Sequence, residues 1–518
     1  MSHFISATRV DEMFPAGAEH GRGNIIELAN AERKHMRVET RAALFTIGAM
    51  RPGAFYELLD GGRLPNIERI FGRAVRAERA ATVFPSVAAS CHAALATGAM
   101  PGRNLITGGG RFDRHGKMPA HREYAMTEPW RGAAGRLGLP ALPKTGDGPA
   151  LDKDISGGTA TIFEALKTRA ARSAAVWTPV GRGADEHITA SALEIALASA
   201  GGKGGRAAFD RAAARKAAKF IADTRRLHRM IQVNFAGAFP RSADAAEDEE
   251  REYISGVLDA CFGRTLDALA RRHPLEEFHF TLCAARGGRH APASPERVVS
   301  RAAMRRILSS AGYSIYNPAE SDNPKRRSAV AFIHSGSYHL HLRNRATGKW
   351  HSPPLFEEDL MSAADAFFGA SASGAGGSVP GWLDLALVKN VEMGEYVVYD
   401  GVLAESPEDF FSRSENDIKY PGASKRLKGF FCKHSPDVVL LADRERGFCF
   451  EVENGARGGG GLCAEDSLVP LLFSGPGVES GMIRGMCSII DAAPSVAALF
   501  DVSMTTADGR ILPLFKQC

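Results

Sequence analysis

A cysteine and a histidine stand side by side at Cys91 and His92, directly after Ser90, in a stretch compatible with a helix. This arrangement suggests nucleophilic chemistry by a thiolate, because a helix N-terminus or a nearby cation lowers the pKa of a thiol. Neighbouring residues on a helix point about 100° apart, however, so the two side chains do not face each other. Two interpretations stay open: a metal-independent catalytic pair, or a small buried cysteine.

Three more histidines, His334, His339 and His341, lie close together in the sequence. On a strand, His339 and His341 share one face because they are two residues apart. Imidazole is a ligand for zinc, so this spacing is compatible with a metal site. The alternative is a solvated strand face, and we expect the latter.

Two segments have a composition that suits phosphate or nucleic acid. The segment 206–229 is basic and helix-compatible, which is typical of a nucleic-acid surface or of a solvated helix face, and we expect the latter. Gly455–Gly461 is a glycine run like those that cradle phosphate, but it lacks the Lys-Ser or Lys-Thr ending of a phosphate loop.

The composition bounds the class of protein. The chain has 518 residues, of which 44% are hydrophobic and 24% charged, which excludes disordered, collagen-like and coiled-coil classes. The net charge is only +5, so we expect no nucleic-acid partner. Eight cysteines without a CxxC pair favour reduced thiols. No apolar stretch suits a signal peptide or a membrane span, so we expect a cytoplasmic protein without membrane contact.

Short apolar runs alternate with segments of helical length, and this alternation predicts an α/β sandwich around a mostly parallel sheet. The predicted core strands are 42–47, 174–178, 230–235, 278–283, 438–442 and 468–473. The predicted helices include 67–79, 88–97, 162–171, 207–226, 253–271 and 301–310.

The region from about 290 to 430 departs from this rhythm. It contains alternating strand-like pieces at 337–342 and 396–399 and a Gly/Ser/Ala-rich stretch at 371–380. These features predict a smaller inserted cap subdomain. The predicted division is an N-terminal arm at 1–40, a core in two parts at 41–290 and 431–518, and the cap at 291–430.

Four motifs follow one another in a characteristic order. They are Met50-Arg51-Pro52, then Val83-Phe84-Pro85-Ser86 with His92–Gly98, then a helix at 253–269 leading into a strand at 278–283, and finally Glu465-Asp466-Ser467 running into Ser474-Gly475-Pro476-Gly477. In this order they resemble the alkaline phosphatase superfamily, in particular its type I phosphodiesterase/nucleotide pyrophosphatase branch. The resemblance spans about 45–500 and implies an alkaline phosphatase-like sandwich with a central, mostly parallel sheet between helices.

The resemblance implies a site with two metal ions, usually zinc, held by three Asp and three His around a Thr or Ser nucleophile. Such ions activate the nucleophile and clamp the oxygens of an in-line displacement. In this chain every matched position carries a different residue. The replacements are Gly48 for the first Asp, Ala88 for the nucleophile, Ala238 and Ser242 for an Asp and a His, Ala285 and Arg286 for an Asp-His pair, and Arg457 for the last His.

The sequence therefore predicts a catalytically degenerate member that binds a ligand or a partner, without metal or other cofactor. Arg286, Arg457 and Ser90 are the candidate ligand-binding residues, because a guanidinium group presents a fixed fork of donors to an anion. The expected partners are a small anion, a second copy of the chain or another protein. The alternative is an enzyme whose metal-independent chemistry uses Cys91 and His92 with the two arginines. A conventional phosphodiester or phosphonate hydrolase is the third hypothesis.

Overall fold

The computed structural model describes residues 39–115, 121–124, 150–191, 194, 202–237, 246–288, 294–317, 323–374, 379–452 and 459–515. Their strands, in chain order, are β1 (Arg41–Ala49), β2 (Val75–Ala81), β3 (Gly110–Phe112), β4 (His121–Glu123), β5 (Ser173–Val176), β6 (Glu186–Ile188), β7 (Met230–Gly237), β8 (Phe278–Ala284), β9 (Val298–Val299), β10 (Ala329–Ile333), β11 (Ser337–Leu342), β12 (Leu383–Asn390), β13 (Glu395–Tyr399), β14 (Ala404–Glu405), β15 (Val438–Ala442), β16 (Cys449–Phe450), β17 (Leu471–Ser474) and β18 (Gly481–Ser488).

The α-helices of the same residues are α1 (Pro52–Asp60), α2 (Pro65–Phe71), α3 (Ala88–Thr97), α4 (Pro101–Asn104), α5 (Ala150–Asp154), α6 (Ile162–Leu166), α7 (Gly202–Asp223), α8 (Ala246–Tyr253), α9 (Asp259–Ala270), α10 (Arg301–Ser310), α11 (Ser362–Ser373), α12 (Pro407–Phe411), α13 (Ser414–Lys419), α14 (Ala423–Lys428), α15 (Ala464–Ser467) and α16 (Ala492–Ala498). Wider π-turns precede α9 at Ile254–Leu258 and α11 at Phe356–Met361. Short 3-10 turns lie at Lys167–Arg169, Leu275–Glu277, Pro295–Arg297, Pro324–Arg326 and Ile489–Asp491. Within the described ranges no helix is long and apolar enough to cross a bilayer.

The central sheet has the strand order β18-β2-β17-β8-β1-β7-β5-β6. β17 runs antiparallel to both of its neighbours, whereas the remaining pairs are parallel. The predicted α/β fold around a mostly parallel sheet is therefore confirmed. Parallel strands place their carboxyl ends at one edge of a sheet, which is where open α/β folds build their sites.

β1 lies in the middle of this sheet, and its residues are buried from Ala42 onward. The ring of Phe45 lies 4.4 Å from that of Phe262 in α9 and 6.5 Å from that of Phe235 in β7. A strand with neighbours on both edges and helices on its faces must be apolar throughout. The short apolar run of the sequence thus becomes the centre of the core.

The predicted helix at 67–79 is wrong beyond its first turns. The helix α2 ends at Phe71, and β2 takes up the rest of the segment. In β2, Val75 and Ala77 are buried whereas Glu78 is exposed, and the strand pairs with β17 and β18. Pairing within the sheet therefore overrides the helical propensity of an alanine- and arginine-rich stretch.

A second sheet has the order β10-β11-β15-β12-β13-β14, and all its described pairs are antiparallel. Side chains from α10 and α11 cover one face, and Phe84 with residues of α12 and α14 covers the other. The predicted cap ends at residue 430, but the inner strand β15 of this sheet lies beyond that residue. The sheet therefore contains strands from both the predicted cap and the predicted core. The domain division stays a prediction.

We expect the Phe45→Ala change to lower the free energy of unfolding by about 3–5 kcal/mol, because it removes a fully buried ring and leaves a cavity. Chemical denaturation followed by circular dichroism measures this loss. Met482→Ala is the control, since Met482 is 58% exposed and its truncation should cost under about 0.5 kcal/mol. Equal losses in both variants would contradict the assigned core.

Candidate active site at the carboxyl ends of the central strands

The carboxyl ends of β1, β7 and β8 meet at one edge of the central sheet. The hydroxyl group of Thr82 joins α3 to this edge, because it contacts both Cys91 Sγ at 3.0 Å and Ala285 O at 2.5 Å. Backbone hydrogen bonds hold the exits of β1 and β8 together: Ala285 N–H donates to Ile47 O at 2.6 Å, and Met50 N–H donates to Arg286 O at 3.1 Å. The segments that carry Gly48, Ala285 and Arg286 are therefore neighbours, as the resemblance implies.

Gly48 occupies a position where no side chain fits. A Cβ at this residue would lie 2.6 Å from the carbonyl oxygen of Ala236 in β7. The exit of β7 is fixed by the buried Asp210 of α7, which accepts hydrogen bonds from Ala236 N–H at 2.6 Å and Gly237 N–H at 3.2 Å. An aspartate at position 48 would require the two strands to separate.

Ala88 begins α3 and is half-buried, whereas the rest of the helix is buried. Its methyl group has no oxygen that could attack phosphorus. Ala285 is fully buried and likewise offers no ligand atom. Zinc needs carboxylate, imidazole or thiolate donors, so these positions do not fit the two-metal site of the family. No group of three or more His, Cys, Asp or Glu within the described ranges is arranged to bind a metal ion.

Arg286, one of the candidate ligand-binding residues predicted from the sequence, lies at this edge of the sheet. Its side chain is half-buried. Its segment is tied to the chain before β17, because Gly287 N–H donates to Asp466 O at 3.2 Å and Gly288 N–H to Glu465 O at 2.9 Å. The guanidinium group lies against Gly459, where a Cβ would be 2.5 Å from Nη1. Gly459 also has φ +81°, a backbone conformation that glycine adopts without strain. The glycine therefore makes room for the arginine.

The glycine run from 459 to 461 is anchored on both sides. Gly460 N–H donates to the backbone and side-chain oxygens of Ser86, both at 2.9 Å, and Ser86 Oγ donates to Gly461 O at 2.9 Å. Gly461 N–H donates to the buried Asp466 at 3.0 Å. Asp466 in turn lies 3.6 Å from the buried guanidinium group of Arg444. These N–H groups face protein acceptors, so here the run is a packed turn and not a phosphate cradle.

The histidines of β11 and the turn before it pack against this region. The rings of His334 and His339 are 4.8 Å apart and nearly perpendicular, and His339 Nε2 lies 3.0 Å from Ser337 Oγ. His339 and His341 are both buried. Burial lowers the pKa of both rings well below the usual range, aided by neighbouring imidazoles and by the cationic Arg114. They are buried neutral side chains and not the solvated face that the sequence suggested.

Cys91 is fully buried in α3 and accepts a hydrogen bond from Thr82 Oγ1 at 3.0 Å. Burial raises the pKa of its thiol to about 11, although Thr82 and Arg286 act in the opposite direction. His92 is 4% exposed, and burial together with the charge of Arg286 lowers its pKa to about 4. A protonated thiol and a neutral imidazole do not form a thiolate pair.

Ser90 is buried in the same helix, two residues after Ala88. At about 100° per residue its side chain points roughly 160° away from that of Ala88, so helical geometry does not turn it toward the old nucleophile position. Arg457, Ala238 and Ser242 lie outside the described residues, as do Gly455 and Ala456. The convergence of Arg286 and Arg457 therefore stays a prediction.

Four residues that hold this site together are not revealed by sequence patterns, namely Ser86, Asp210, Arg444 and Asp466. Ser86 and Asp466 belong to two of the motifs that carry the resemblance, so their place near the site can be predicted from the sequence. Their hydrogen-bond partners cannot. Asp210 and Arg444 gave no signal, because each looks like one more charged residue until the fold buries it at 0% and 3% exposure.

A mixed central sheet, helices on its faces and a site at the carboxyl ends of its parallel strands define an alkaline phosphatase-like protein. Residues 42–196 match the family model for type I phosphodiesterase/nucleotide pyrophosphatase. Over this segment the chain is similar to the nucleotide pyrophosphatase family, and the fold as a whole is alkaline phosphatase-like.

Several solved structures share this fold at low sequence identity. Murine ectonucleotide pyrophosphatase/phosphodiesterase 5 superposes with a TM-score of 0.56 at 12% identity, covering 91% of this chain and 97% of its own. The human protein of the same name gives 0.53 at 11% identity, covering 91% and 97%. Wild-type alkaline phosphatase PafA gives 0.54 at 14% identity, covering 90% and 97%. A search of curated protein sequences finds no significant match.

We expect the protein to lose stability as the pH falls from 7.5 to 5. His92 has an ordinary pKa near 6.5 when unfolded and about 4 when folded, so below pH 6.5 the unfolded chain binds a proton that the folded chain does not. The loss from this residue should be on the order of 2 kcal/mol at pH 5 and continue toward pH 4. Thermal unfolding at a series of pH values measures it.

His92→Gln should remove its own share of this loss, on the order of 2 kcal/mol at pH 5, while the buried His334 and His339 still contribute loss of the same sign. His273→Gln, at a side chain 33% exposed, is the control and should leave the profile unchanged. Asp210 acts in the opposite direction, because burial raises its pKa to about 6 and it therefore favours the folded state as the pH falls. Identical profiles for the wild type and His92→Gln would refute the assignment of His92 as a buried neutral ring.

We expect Cys91 to resist alkylation by iodoacetamide at pH 7.5, because a buried thiol with a pKa of about 11 is neither accessible nor ionised. Among the cysteines that the structure describes, peptide mass spectrometry of the native protein should find Cys432, which is partly exposed, modified first. Unfolding in urea should make both cysteines reactive. Rapid and selective labelling of Cys91 in the native state would revive the thiolate hypothesis.

Proposed function

We propose that this chain is a catalytically degenerate member of its superfamily that binds a phosphate-bearing anion without hydrolysing it. The observation that carries the proposal is the donor set at the strand ends: Gly48, Ala88 and Ala285 have no ligand or nucleophilic atom, and Arg286 replaces an imidazole. The close approach of β7 to Gly48 also supports the proposal, because an aspartate at position 48 would collide with Ala236 O.

Arg286 suggests the class of ligand. A guanidinium group forms paired, charge-assisted hydrogen bonds with phosphate or carboxylate. Ala88 is the residue of α3 that retains exposure, so the N-terminus of this helix is the part of the old site that an anion can approach. Among the structural neighbours, an inactive threonine-to-alanine variant of the murine phosphodiesterase was solved in complex with AMP. We take AMP as the probe for this chain.

The alternative, a metal-independent enzyme that uses Cys91 and His92, is weakened by their burial. It predicted an accessible thiol beside Arg286, whereas Cys91 is 0% exposed. The third hypothesis, a conventional phosphodiester or phosphonate hydrolase, requires ligands that the described positions do not supply. The proposal includes a cytoplasmic location, which the free thiols of Cys91, Cys283 and Cys463 support, since a reducing compartment keeps thiols free.

Elemental analysis and activity assays test the degenerate site. Protein purified without chelator should contain far less than one zinc per chain and should not turn over aryl phosphodiesters above background. The Ala88→Thr variant should remain inactive, because a hydroxyl group alone does not supply two metal ions. Two tightly bound zinc ions, or turnover that a change at Arg286 abolishes, would overturn the proposal.

Calorimetric titration with AMP tests ligand binding. We expect Arg286→Ala to weaken binding about tenfold or more, since a charge-assisted hydrogen bond contributes roughly 1.5–3 kcal/mol and about 1.4 kcal/mol is a factor of ten. Arg215→Ala, at an exposed position of α7, is the charge-matched control and should bind as the wild type does. Equal affinities in both variants would exclude Arg286 from the site.

A further inference from the structure

The positive charge of the chain is concentrated in two stretches of sequence. Residues 294–349 contain ten Lys and Arg against three Asp and Glu, a net charge of +7, which exceeds the +5 of the whole chain. Residues 206–229 contain eight Lys and Arg against two Asp, a net charge of +6, so the chain outside both stretches is acidic at −8. The whole-chain charge, on which the expectation of no nucleic-acid partner rests, conceals this concentration.

The fold brings the described parts of this stretch together beside the second sheet. Arg343 Nη1 donates to Lys325 O at 3.4 Å, which joins the loop after β11 to the turn before β10. Arg345 Nη1 donates to Ala311 O at 3.4 Å, and its guanidinium group lies 4.8 Å from the ring centre of Tyr313. Both contacts join the same loop to the end of α10. We call the outer side of α10, the turn at 324–327 and the loop at 343–349 the basic surface.

Helical geometry turns the arginines of α10 outward. The buried positions are Ala303, Met304, Ile307 and Leu308, which face the second sheet. Arg306 is exposed, and Arg301 and Arg305 are half-buried at the borders of the same outer side. Arg326 and Lys349 are exposed on the neighbouring segments. Arg345 is already paired with Asp359 at 2.8 Å, so it contributes more to the structure than to the charge of the basic surface.

Three kinds of anionic partner suit a basic surface: a lipid bilayer, an acidic protein and a nucleic acid. A bilayer-binding surface also needs apolar side chains that enter the headgroup region. The described part of 294–349 has no exposed large hydrophobic residue. The absence of such residues there disfavours a membrane.

A second copy of the chain would offer the acidic helix α8, but its charges are largely engaged within the molecule. Glu250 lies 2.7 Å from Arg51, and Arg251 lies 2.9 Å from Glu57 and 3.4 Å from Glu247. Exposed ion pairs contribute only about 0–1 kcal/mol each, which does not hold two copies together. A nucleic acid gains more, because every phosphate that the protein neutralises releases counterions.

We infer that the basic surface binds the phosphodiester backbone of a nucleic-acid strand. Arginine predominates in this stretch, and its guanidinium fork matches phosphate oxygens. The contacts named here reach only backbone phosphates, so binding should show little sequence preference and strong salt dependence. This inference is independent of the proposed function, because it does not involve the ends of the central strands.

Fluorescence anisotropy with a labelled single strand of about 30 nucleotides tests the inference. The full chain should bind at low salt, with affinity that falls linearly on a log–log plot as salt rises. The triple variant Arg306→Gln, Arg326→Gln, Lys349→Gln should bind at least tenfold more weakly, with a salt slope smaller by about 2. These side chains are exposed, so circular dichroism and thermal unfolding should show an unchanged fold.

The matched control is Arg211→Gln, Arg215→Gln, Lys219→Gln on the exposed side of α7, which removes the same charge from the other basic segment. It should bind as the wild type does. Three outcomes would overturn the inference: no binding at low salt, equal binding by both triple variants, or loss only in the α7 variant. Equal or tighter binding to polyglutamate, or to vesicles of anionic lipid without any binding to the strand, would point to a different partner and would also overturn it.

Discussion

The close approach of β1 and β7 at their carboxyl ends is the constraint on which the rest of the site depends. Gly48 allows Ala236 O to lie where a side chain would otherwise stand, and Asp210 holds the end of β7 by accepting two backbone N–H groups. The strand β1 therefore lies close against β7 at this point and has no room for a side chain at position 48. Backbone packing and side-chain chemistry are thus coupled at this edge of the sheet.

The charge at this edge of the sheet is that of Arg286, and buried histidines surround it. A two-metal site would combine cations with carboxylates, whereas this edge combines Arg286 with imidazoles that are neutral because they are buried and lie near a fixed positive charge. Asp466 supports the glycine run that makes room for Arg286, and Arg444 lies beside Asp466. A buried ion pair of this kind contributes little net stability, but removing one partner leaves an uncompensated charge. The polar contacts of Asp466 and Arg444 thus fix the shape of the turn beside Arg286.

The scaffold around this edge keeps the packing that the superfamily fold requires. Phe45 and its aromatic neighbours form the centre of the main core, and Phe84 extends from the segment before α3 into the core under the second sheet. Fold and chemistry are separable here because a core depends on apolar volume, whereas a catalytic site depends on a few specific atoms.

The fold class and the positions of the core strands can be predicted from the sequence alone. Apolar runs such as 230–235 and 278–283 predict buried strands because only a covered parallel sheet accommodates them. The side chain of Gly or Ala has no metal-ligand atom in any fold, so that property of Gly48, Ala88 and Ala285 follows from the sequence without coordinates.

Tertiary structure decided the properties that depend on distance and burial. Residues 75–81 became a strand because β17 and β18 pair with them, against their local helical character. The states of Cys91 and His339 follow from burial, which residue type and spacing do not specify. The glycines at 48 and 459 are required by atoms more than a hundred residues away in the chain, Ala236 O and the guanidinium group of Arg286. Such contacts exist only after the chain has folded, and for that reason no local pattern in the sequence could reveal them.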